Sequence, residues 1–334
     1  MALKRVSSTD IAKVAGVSQA TVSYVLNRRP GKTISEQTRE RVWSAARDLG
    51  YQPNAAARAL VTGKTGMVAL WMPNAYRPIF SSVTEAVMRH AVKHSYRVVV
   101  SEVINYSNLP ADYRDNIADW HVDGIIGHDA RSAIDHCIDT SRGISPAVSI
   151  GPAYTTRCDH VGVDLYGGSQ VAVKHLIEIG CKKIAFVSVD WGLNIGDPRY
   201  RAFTELCEAA GIQPRFISIL TTDRAQARDA VEAYVLAYPD TDGLFCWNDD
   251  VAIAANRAMR DLGRSVPDDI AIIGSDGIEE TSYHSPSVSS VAQPIEEMVT
   301  TAWTFLRNRL EDPTCELQSL VLPMKLLQRE STSR

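Results

Sequence analysis

The strongest constraint on the fold is a regular alternation of apolar runs and helical stretches that begins at Met67. The strands of a parallel sheet are covered on both faces, so they read as continuous apolar runs. Predicted strands lie at 67–72, 96–103, 123–127, 147–150, 184–188, 243–247 and 270–273, with predicted helices at 82–94, 169–180, 199–211 and 251–262. The alternation therefore predicts an α/β body with helices on both faces of its sheets.

The body is long enough for two such units, because a single domain usually holds about 100–200 residues. We predict a body at 64–334 built from two doubly wound parallel-sheet subdomains. The first takes about 64–162 and 292–322, and the second about 163–291 and 323–334. Ligands of doubly wound folds bind beyond the carboxyl ends of the strands, so two facing subdomains predict a binding cleft.

The segment that precedes the body has the opposite charge. Residues 1–64 hold eleven Lys and Arg against four Asp and Glu, a net charge of +7 within a chain of net charge −4. The remainder therefore carries −11, and a basic head on an acidic body predicts a polyanionic partner for the head.

Within this head, two short helices are joined by a turn at Gly16-Val17. Thr9 is the predicted cap of the first helix, with Ile11, Ala12, Val14 and Ala15 as its apolar positions. Ser18 is the predicted cap of the second, which runs from Gln19 to about Asn27. This pattern, with a third helix at about 35–49, is typical of an all-α helix-turn-helix headpiece, assigned to 1–52. The alternative is a small helical bundle with basic solvated faces.

A short stretch at 53–63 follows the headpiece and is rich in alanine. It is about two turns long, too short for a stable isolated helix. Small side chains such as Ala57 permit close approach to a DNA groove, and Leu60 is placed to wedge between base steps. The alternative is a linker helix with Leu60 packed on a domain.

Polar and aromatic side chains follow the predicted strands of the body. Carboxylates, amides and an arginine beside aromatic rings suit a polyhydroxylated ligand, since the polar groups pair with hydroxyls and a ring covers the apolar sugar face. The residues are Asn74, Asp129, Asp164, Arg199, Asn248, Asp249 and Asp276, with Tyr76, Phe80, Trp191 and Trp247 as the aromatic groups.

The sequence resembles the LacI/GalR family of bacterial transcription regulators. The resemblance rests on the run 10–27, on Thr38-Arg39 and on 50–54 in the head, and on 199–203, 248–252, 267–276 and Gln293-Pro294 in the body. It implies a recognition helix in the major groove, with base contacts from Gln19, Ala20 and Tyr24 and a minor-groove wedge at Leu60. It assigns phosphate contacts to Ser18, Thr21, Ser23 and Asn27.

For the body, the resemblance implies a periplasmic-binding-protein-like fold with an effector in its cleft. Phe80, Asp164, Arg199, Asn248, Asp276 and Gln293 are the implied lining residues. Several have structural alternatives: Asp164 and Asp276 as loop caps, Arg199 as a surface residue, and Trp191 and Trp247 as core packing. Asn248 is expected both to cap a helix and to bind.

The sequence argues against several other classes of protein. It contains no GxGxxG, Walker, GxSxG or HExxH motif, so we predict no enzyme and no cofactor. His90 and His94 share a helical spacing without a third ligand, and we predict no metal site. Six scattered cysteines without CxxC spacing, no signal-peptide core and no long apolar stretch favour a cytoplasmic, nucleoid-associated protein without a membrane partner.

These observations predict a repressor that binds a pseudopalindromic double-stranded operator as a homodimer and responds to a small-molecule effector. A sugar is the expected effector, and a sugar phosphate or a nucleobase remains open. The chain ends without a heptad extension, which favours a dimer over a tetramer. The competing hypothesis is a periplasmic-type sugar-binding protein without a DNA function.

Overall fold

The computed structural model describes residues 6–26, 33–51, 59, 62–103, 110, 121–140 and 145–334. The chain divides into two compact units. The first comprises Met1–Gly66 with His121–Asp123, and the second comprises Met67–Trp120 and Gly124–Arg334.

The first unit contains three helices, Ser8–Ala15 (α1), Gln19–Leu26 (α2) and Glu36–Asp48 (α3). The sequence predicted Thr9 as the first cap, which is wrong. Ser7 caps α1, and its hydroxyl and backbone pair reciprocally with Asp10 in a capping box. Gly16 ends α1 in the left-handed conformation at φ 65°, which glycine adopts without a Cβ penalty.

The three helices share a small apolar core formed by Ile11, Ala12, Ala15, Val22, Val25, Val42, Ala45 and Ala46. Val14, one of the apolar positions of the first predicted helix, is 61% exposed. Residues 11, 12 and 15 already fill the inner face of this two-turn helix, so position 14 points outward.

The second unit holds twelve described strands. They are Met67–Met72 (β1), Arg97–Glu102 (β2), Gly124–His128 (β3), Ala147–Ile150 (β4), Asp159–Val163 (β5), Ile184–Val189 (β6), Arg215–Ile219 (β7), Gly243–Cys246 (β8), Ala271–Asp276 (β9), Ser289–Ala292 (β10), Ser319–Leu322 (β11) and Lys325–Leu327 (β12).

Seven helices accompany these strands in the described part of the unit. They are Pro78–Lys93 (α4), Arg131–Thr140 (α5), Leu165–Glu178 (α6), Pro198–Ala209 (α7), Arg224–Ala237 (α8), Asp249–Asp261 (α9) and Ile295–Glu311 (α10). Short 3-10 turns lie at Asp190–Gly192, Glu279–Tyr283 and Glu330–Thr332.

The strands form two six-stranded sheets, which define two α/β subdomains. The first sheet has the order β11-β5-β4-β3-β1-β2, and the second has the order β12-β10-β9-β8-β6-β7. Every pairing is parallel except that of β10 with β12. The predicted pair of parallel-sheet subdomains is confirmed, with one antiparallel edge strand.

The chain passes between the two sheets three times, after β5, after β10 and after β11. Helix α10 follows β10 of the second sheet but packs on β3, β4 and β5 of the first. Three separate connections therefore join the subdomains, and the backbone N–H of Asp164 donates to the carbonyl of Leu322 across two of them at 2.9 Å.

Each sheet is buried by its helices. The largest fully buried side chains include Trp71 and Leu70 in β1, Phe186 in β6, Phe245 in β8 and Trp303 in α10. No helix in the described ranges is both long and apolar enough to cross a membrane.

Candidate functional site: a helix-turn-helix surface and an interdomain cleft

Helix α2 presents the residues that the sequence assigned to DNA contact. Ser18, Gln19 and Ala20 are exposed, and Thr21, Ser23 and Tyr24 are half-buried, while Val22 and Val25 face the core. The polar face is therefore fixed by a buried apolar face on the same helix. Asn27, Ala57 and Leu60 lie outside the described residues.

Two side chains at the start of α2 already have local partners. The Ser18 hydroxyl accepts from the backbone N–H of Thr21 at 3.1 Å, so Ser18 caps the helix as the sequence predicted. Gln19 Nε2 donates to Ser8 Oγ at 2.9 Å. This bond holds the Gln19 amide against α1, and a base contact from Gln19 requires it to be exchanged.

In the second unit, the predicted effector residues follow the carboxyl ends of the strands. The loops after β1, β3 and β5 carry Asn74, Asp129 and Asp164 of the first subdomain. Those after β6, β8 and β10 carry Trp191, Trp247, Asn248 and Gln293 of the second, in which Asp276 is the last residue of β9. This is the edge at which ligands of doubly wound folds bind.

Arg199 at the start of α7 stacks on an indole. Its guanidinium carbon lies 3.2 Å from the centroid of a Trp247 ring, and its Nη2 lies 3.2 Å from Asp197 Oδ2. Asp197 also caps α7, so one carboxylate fixes both the helix and the arginine. The arginine side chain is 12% exposed and is already paired, which leaves it able to donate to a neutral ligand without supplying a net positive charge.

Two tryptophans differ in their exposure at this edge. Trp247 is 6% exposed and belongs to the core, whereas Trp191 is 68% exposed. The rings meet edge to face, with centroids 5.0 Å apart at 81°. A side chain at Gly192 would collide with the Trp247 ring, so glycine is required in the turn that carries Trp191. Trp191 therefore presents an exposed ring that packs against the buried ring of Trp247.

Asp129 and Asp276 lie on opposite subdomains, and both have left-handed backbones, with φ 50° and 125°. Desolvation by the surrounding protein raises the pKa of both carboxyls, that of Asp276 well above its ordinary value. The positive charge of Arg199 opposes this rise in the pKa of each carboxyl. Arg199 therefore acts electrostatically on one carboxyl of each subdomain.

Gln293 accompanies Asp276. Its Nε2 donates to Asp276 Oδ1 at 2.8 Å, while its buried Oε1 has no hydrogen-bond partner among the described residues. A buried amide oxygen without a partner costs free energy unless a ligand or water fills the gap.

Three other predicted residues have local structural roles. Asp164 caps α6 by accepting from the Gly167 N–H, Asn248 caps α9 by accepting from the Val251 N–H, and Asn74 accepts from the Tyr76 N–H. The structural alternative proposed for Asp164 is therefore realised, as is the capping role of Asn248. In each of these side chains, the oxygen that accepts this bond is already used within the protein.

Sequence reasoning missed two groups at this edge, His128 and Arg77, and it named Asp249 without predicting its buried contacts. His128 is fully buried at the end of β3, packs edge to face on Phe80 with ring centroids 4.9 Å apart, and has no described partner for Nδ1. Asp249 lies directly beneath the loop that follows Asp276. Arg77 joins the subdomains by donating to Asp250. The sequence signal for these contacts was the run of three polar residues at 248–250 directly after an apolar strand.

A separate groove of about 570 Å³ lies between α8, α9 and the 3-10 turn Glu279–Tyr283. Its lining includes four arginines, Arg224, Arg228, Arg257 and Arg260, together with His284, and it contains none of the predicted effector residues. The cleft, with paired carboxylates and aromatic rings, matches a neutral polyol better than this cationic groove does. No group of three potential metal ligands is found among the residues with described positions.

Comparison with known proteins agrees with this arrangement. Residues 9–54 match the family model for bacterial regulatory proteins of the lacI family, and residues 173–332 match a periplasmic binding protein-like domain. The ribose operon repressor of Halalkalibacterium halodurans is 30% identical over 324 residues, which span 97% of this chain and 96% of that protein. The chain belongs to the lacI family of bacterial regulatory proteins.

Other relatives cover the chain as fully. The transcriptional repressor PurR of Erwinia tasmaniensis is 28% identical over 329 residues, 97% of this chain and 96% of that protein. A solved complex of the regulator CelR with cellobiose has a TM-score of 0.67 at 26% identity, covering 98% of this chain and 100% of that one. These relatives are named as regulators or repressors rather than as enzymes.

A lac repressor dimer bound to operator and the anti-inducer ONPF shares the fold. Its TM-score is 0.83 at 22% identity, and the match covers 98% of this chain and 99% of that one. The lacI-family fold, with N-terminal helices followed by two parallel-sheet subdomains, is thereby confirmed.

Proposed function

We propose that this lacI-family regulator is a sequence-specific transcriptional repressor whose affinity for operator DNA is controlled by a sugar bound between the two subdomains. One observation carries the proposal: a helix-turn-helix unit with an exposed polar helix face and a two-sheet unit with a polar, aromatic cleft occur in one chain.

For the DNA, we propose that α2 enters the major groove with Gln19, Ala20 and Tyr24 toward the base edges. Ala20 lacks a hydrogen-bonding group, so it contacts at most a thymine methyl. Phosphate contacts are assigned to Ser18, Thr21, Ser23 and Asn27, and the minor groove to Ala57 and Leu60. The +7 charge of residues 1–64 supports binding to a polyanion.

For the effector, we propose a neutral mono- or disaccharide. Asp129, Asp276 and Gln293 supply acceptors for hydroxyl groups, Arg199 supplies donors, and Trp191 covers the apolar sugar face. Because Asp197 already neutralises Arg199, a phosphorylated sugar lacks a cationic partner there. Names among the relatives, a ribose operon repressor and a cellobiose complex, support a sugar, and a nucleobase is the second candidate.

We propose a headpiece at 1–52, a hinge at 53–63 and an effector-binding and dimerisation body at 64–334, with the subdomain limits given above. The working form is a cytoplasmic, nucleoid-associated homodimer with one headpiece on each operator half-site. Effector binding alters the relation of the two subdomains and thereby the spacing of the paired hinges. A coupling free energy of about 1–3 kcal/mol is typical of such a switch.

The proposal is tested with the full-length chain. Operator sequences are selected from a random duplex pool, and binding is followed by fluorescence anisotropy with and without each sugar that stabilises the protein in a thermal-shift screen of sugars and nucleobases. A chain lacking residues 1–60 is the matched control and should bind sugar but not DNA. Failure to select any sequence, with sugar binding intact, would favour the pure binding-protein alternative.

Two substitutions separate the roles. Leu60→Ala should weaken operator binding far more than non-specific binding, and an equal loss on both duplexes would refute the wedge. Arg199→Ala should retain operator binding and lose the response to sugar. A fully responsive Arg199→Ala protein would contradict the effector assignment.

A further inference from the structure

A fully buried carboxylate supports the turn that follows Asp276, the last residue of β9. Asp249, the first residue of α9, is 0% exposed. Its Oδ2 accepts from the backbone N–H groups of Gly277 at 2.7 Å and Ile278 at 2.8 Å, and its Oδ1 accepts from Ser290 Oγ at 2.6 Å. One side chain therefore ties the residues after β9 to strand β10.

The hydrogen bonds of Asp249 hold a backbone turn with unusual dihedral angles. Asp276 has φ 125° and Gly277 has φ 80°, so two successive residues leave the regions that L-amino acids prefer. A left-handed non-glycine residue persists only where its surroundings determine it. A Cβ at Gly277 would collide with Ala292, and one at Gly274 would collide with Asp249 itself. The carboxylate and two close-packed glycines together fix the turn.

We infer that Asp249 is a positioning residue: by holding the turn that follows β9, it fixes the Asp276 carboxylate for contact with a hydroxyl-rich ligand in the cleft. The inference rests on the proposed effector function of the cleft. Asp249 itself does not contact the ligand: its oxygens accept from Gly277, Ile278 and Ser290.

The negative charge of Asp249 adds an electrostatic effect to this positioning. Burial raises the pKa of Asp249 to about 6, while Ser290, the two backbone N–H groups and the charge of Arg329 lower it. Desolvation raises the pKa of Asp276 well above its ordinary value, and the charge of Asp249 raises it further. Against these, Gln293 and Arg199 lower the pKa of Asp276, whereas the nearby Asp250 raises it.

The sign of the pH effect follows. A sugar hydroxyl that donates to Asp276 favours the ionised carboxylate, so sugar affinity should fall as the pH falls through the pKa of this group. Removing the charge of Asp249 while keeping its hydrogen bonds should lower the pKa of Asp276. The loss of affinity should then occur at a lower pH.

Two substitutions at one position separate positioning from charge. In Asp249→Asn, the amide oxygen can still accept from Gly277 and Ile278, and the amide nitrogen can donate to Ser290 Oγ. In Asp249→Ala, all of these bonds are lost. Asp261→Ala, at the far end of the same helix, is the matched control for a changed carboxylate in α9.

The first measurement needs no ligand. NMR spectra of the full-length protein follow the backbone amides of Gly277 and Ile278 and the carboxyl carbon of Asp276 between pH 4 and 9. Asp249→Asn should keep both amide protons hydrogen-bonded and lower the pKa of Asp276. Asp249→Ala should release the Ile278 amide, whereas the Gly277 N–H keeps its second acceptor, Ser290 Oγ at 3.0 Å. An unchanged Asp276 titration in both variants would overturn the inference.

The second measurement is calorimetric titration with D-ribose, D-glucose and cellobiose, each tested separately over the same pH range. At pH 8, Asp249→Asn should bind within about threefold of wild type and lose affinity at a lower pH, whereas Asp249→Ala should bind at least tenfold more weakly throughout. Wild-type affinity in Asp249→Ala, or equal losses in both variants, would refute the two roles. If no sugar binds wild type, the sugar proposal fails while the NMR result still decides the role of Asp249.

Discussion

Arg77 makes a polar bridge between the two subdomains, and its removal should loosen the cleft. It precedes α4 in the first subdomain, and its Nη1 donates to the carbonyl of Thr222 at 2.9 Å and to Asp250 Oδ2 at 3.2 Å in the second. Asp250 also accepts from Arg224 Nε at 2.7 Å, within the second subdomain. The perturbation is Arg77→Met, which keeps an extended side chain and removes the donors.

The magnitude follows from exposure. The Arg77 side chain is 30% exposed and that of Asp250 is 8% exposed, so the pair is partly desolvated. Hydrogen bonds to charged groups contribute about 1.5–3 kcal/mol. Asp250 retains Arg224, and the remaining exposure of Arg77 weakens its contribution, so we expect about 1–2 kcal/mol in favour of the closed cleft. This corresponds to a change of about 5- to 30-fold in the population ratio.

The assay combines a double-mutant cycle with scattering. Urea unfolding of wild type, Arg77→Met, Asp250→Asn and the double variant gives the coupling free energy of the pair. Small-angle X-ray scattering should show a larger radius of gyration for Arg77→Met in the absence of sugar. Arg224→Met is the matched control, because it removes a bond to the same carboxylate without crossing the cleft.

The reasoning would be refuted by a coupling free energy near zero. It would equally be refuted if Arg224→Met expanded the protein as much as Arg77→Met does. Either result would mean that the bridge adds nothing to closure beyond the three chain connections.

Three further outcomes are expected. Arg309→Met should destabilise the body by about 3–5 kcal/mol in urea unfolding, because it leaves the fully buried Asp159 carboxylate without its ion-pair partner at 2.8 Å. A loss of stability below about 1 kcal/mol would contradict this expectation. Ser7→Ala should weaken α1 by about 1 kcal/mol through loss of its cap, seen as faster amide hydrogen exchange confined to the headpiece. Burial raises the pKa of Cys207 to about 12, so iodoacetamide at pH 8 should leave Cys207 unmodified and should modify the half-buried Cys315. Equal labelling of the two cysteines in mass spectrometry would argue against the burial of Cys207.

Sequence reasoning predicted the headpiece well because its helices are short and capped. The core positions of α2 and α3 follow the 3.6-residue period, and Gly16 marks the turn. The errors concern α1, where Thr9 and Ser7 both qualify as caps. The Ser7-to-Asp10 spacing of a capping box distinguishes them, and this signal was present in the sequence.

In the body, the edge strand β2 and most of the internal strands were predicted, whereas β7, β11 and β12 at the edges and β10 inside the second sheet were not. β7 and β11 carry exposed positions and β12 is only three residues long, so their composition does not stand out from loops. Helix α4 begins at Pro78, four residues before the predicted start, because proline is favoured in the first turn of a helix.

The cleft was predictable only in part. The rule that ligands bind beyond strand ends pointed to Asp129 and Asp276, and the family resemblance pointed to Gln293; the structure has all three at the carboxyl ends of strands. Sequence gives no means of telling which of Asn248, Asp249 and Asp250 faces the ligand, the core or the opposite subdomain, since that depends on packing. Nor does it pair Arg77 with a carboxylate 173 residues away.

The junction after the hinge has a consequence for protein engineering. Asp123 accepts from the backbone N–H and hydroxyl of Thr65 at 2.6 and 2.8 Å and from the Gly66 N–H at 2.9 Å. These bonds attach the end of the linker to the residue that directly precedes β3. A headpiece from another regulator should therefore be joined before Thr65, so that the chimera keeps the hydrogen bonds of Asp123 to Thr65 and Gly66. Such a chimera should combine the operator specificity of the new headpiece with the effector response of this body.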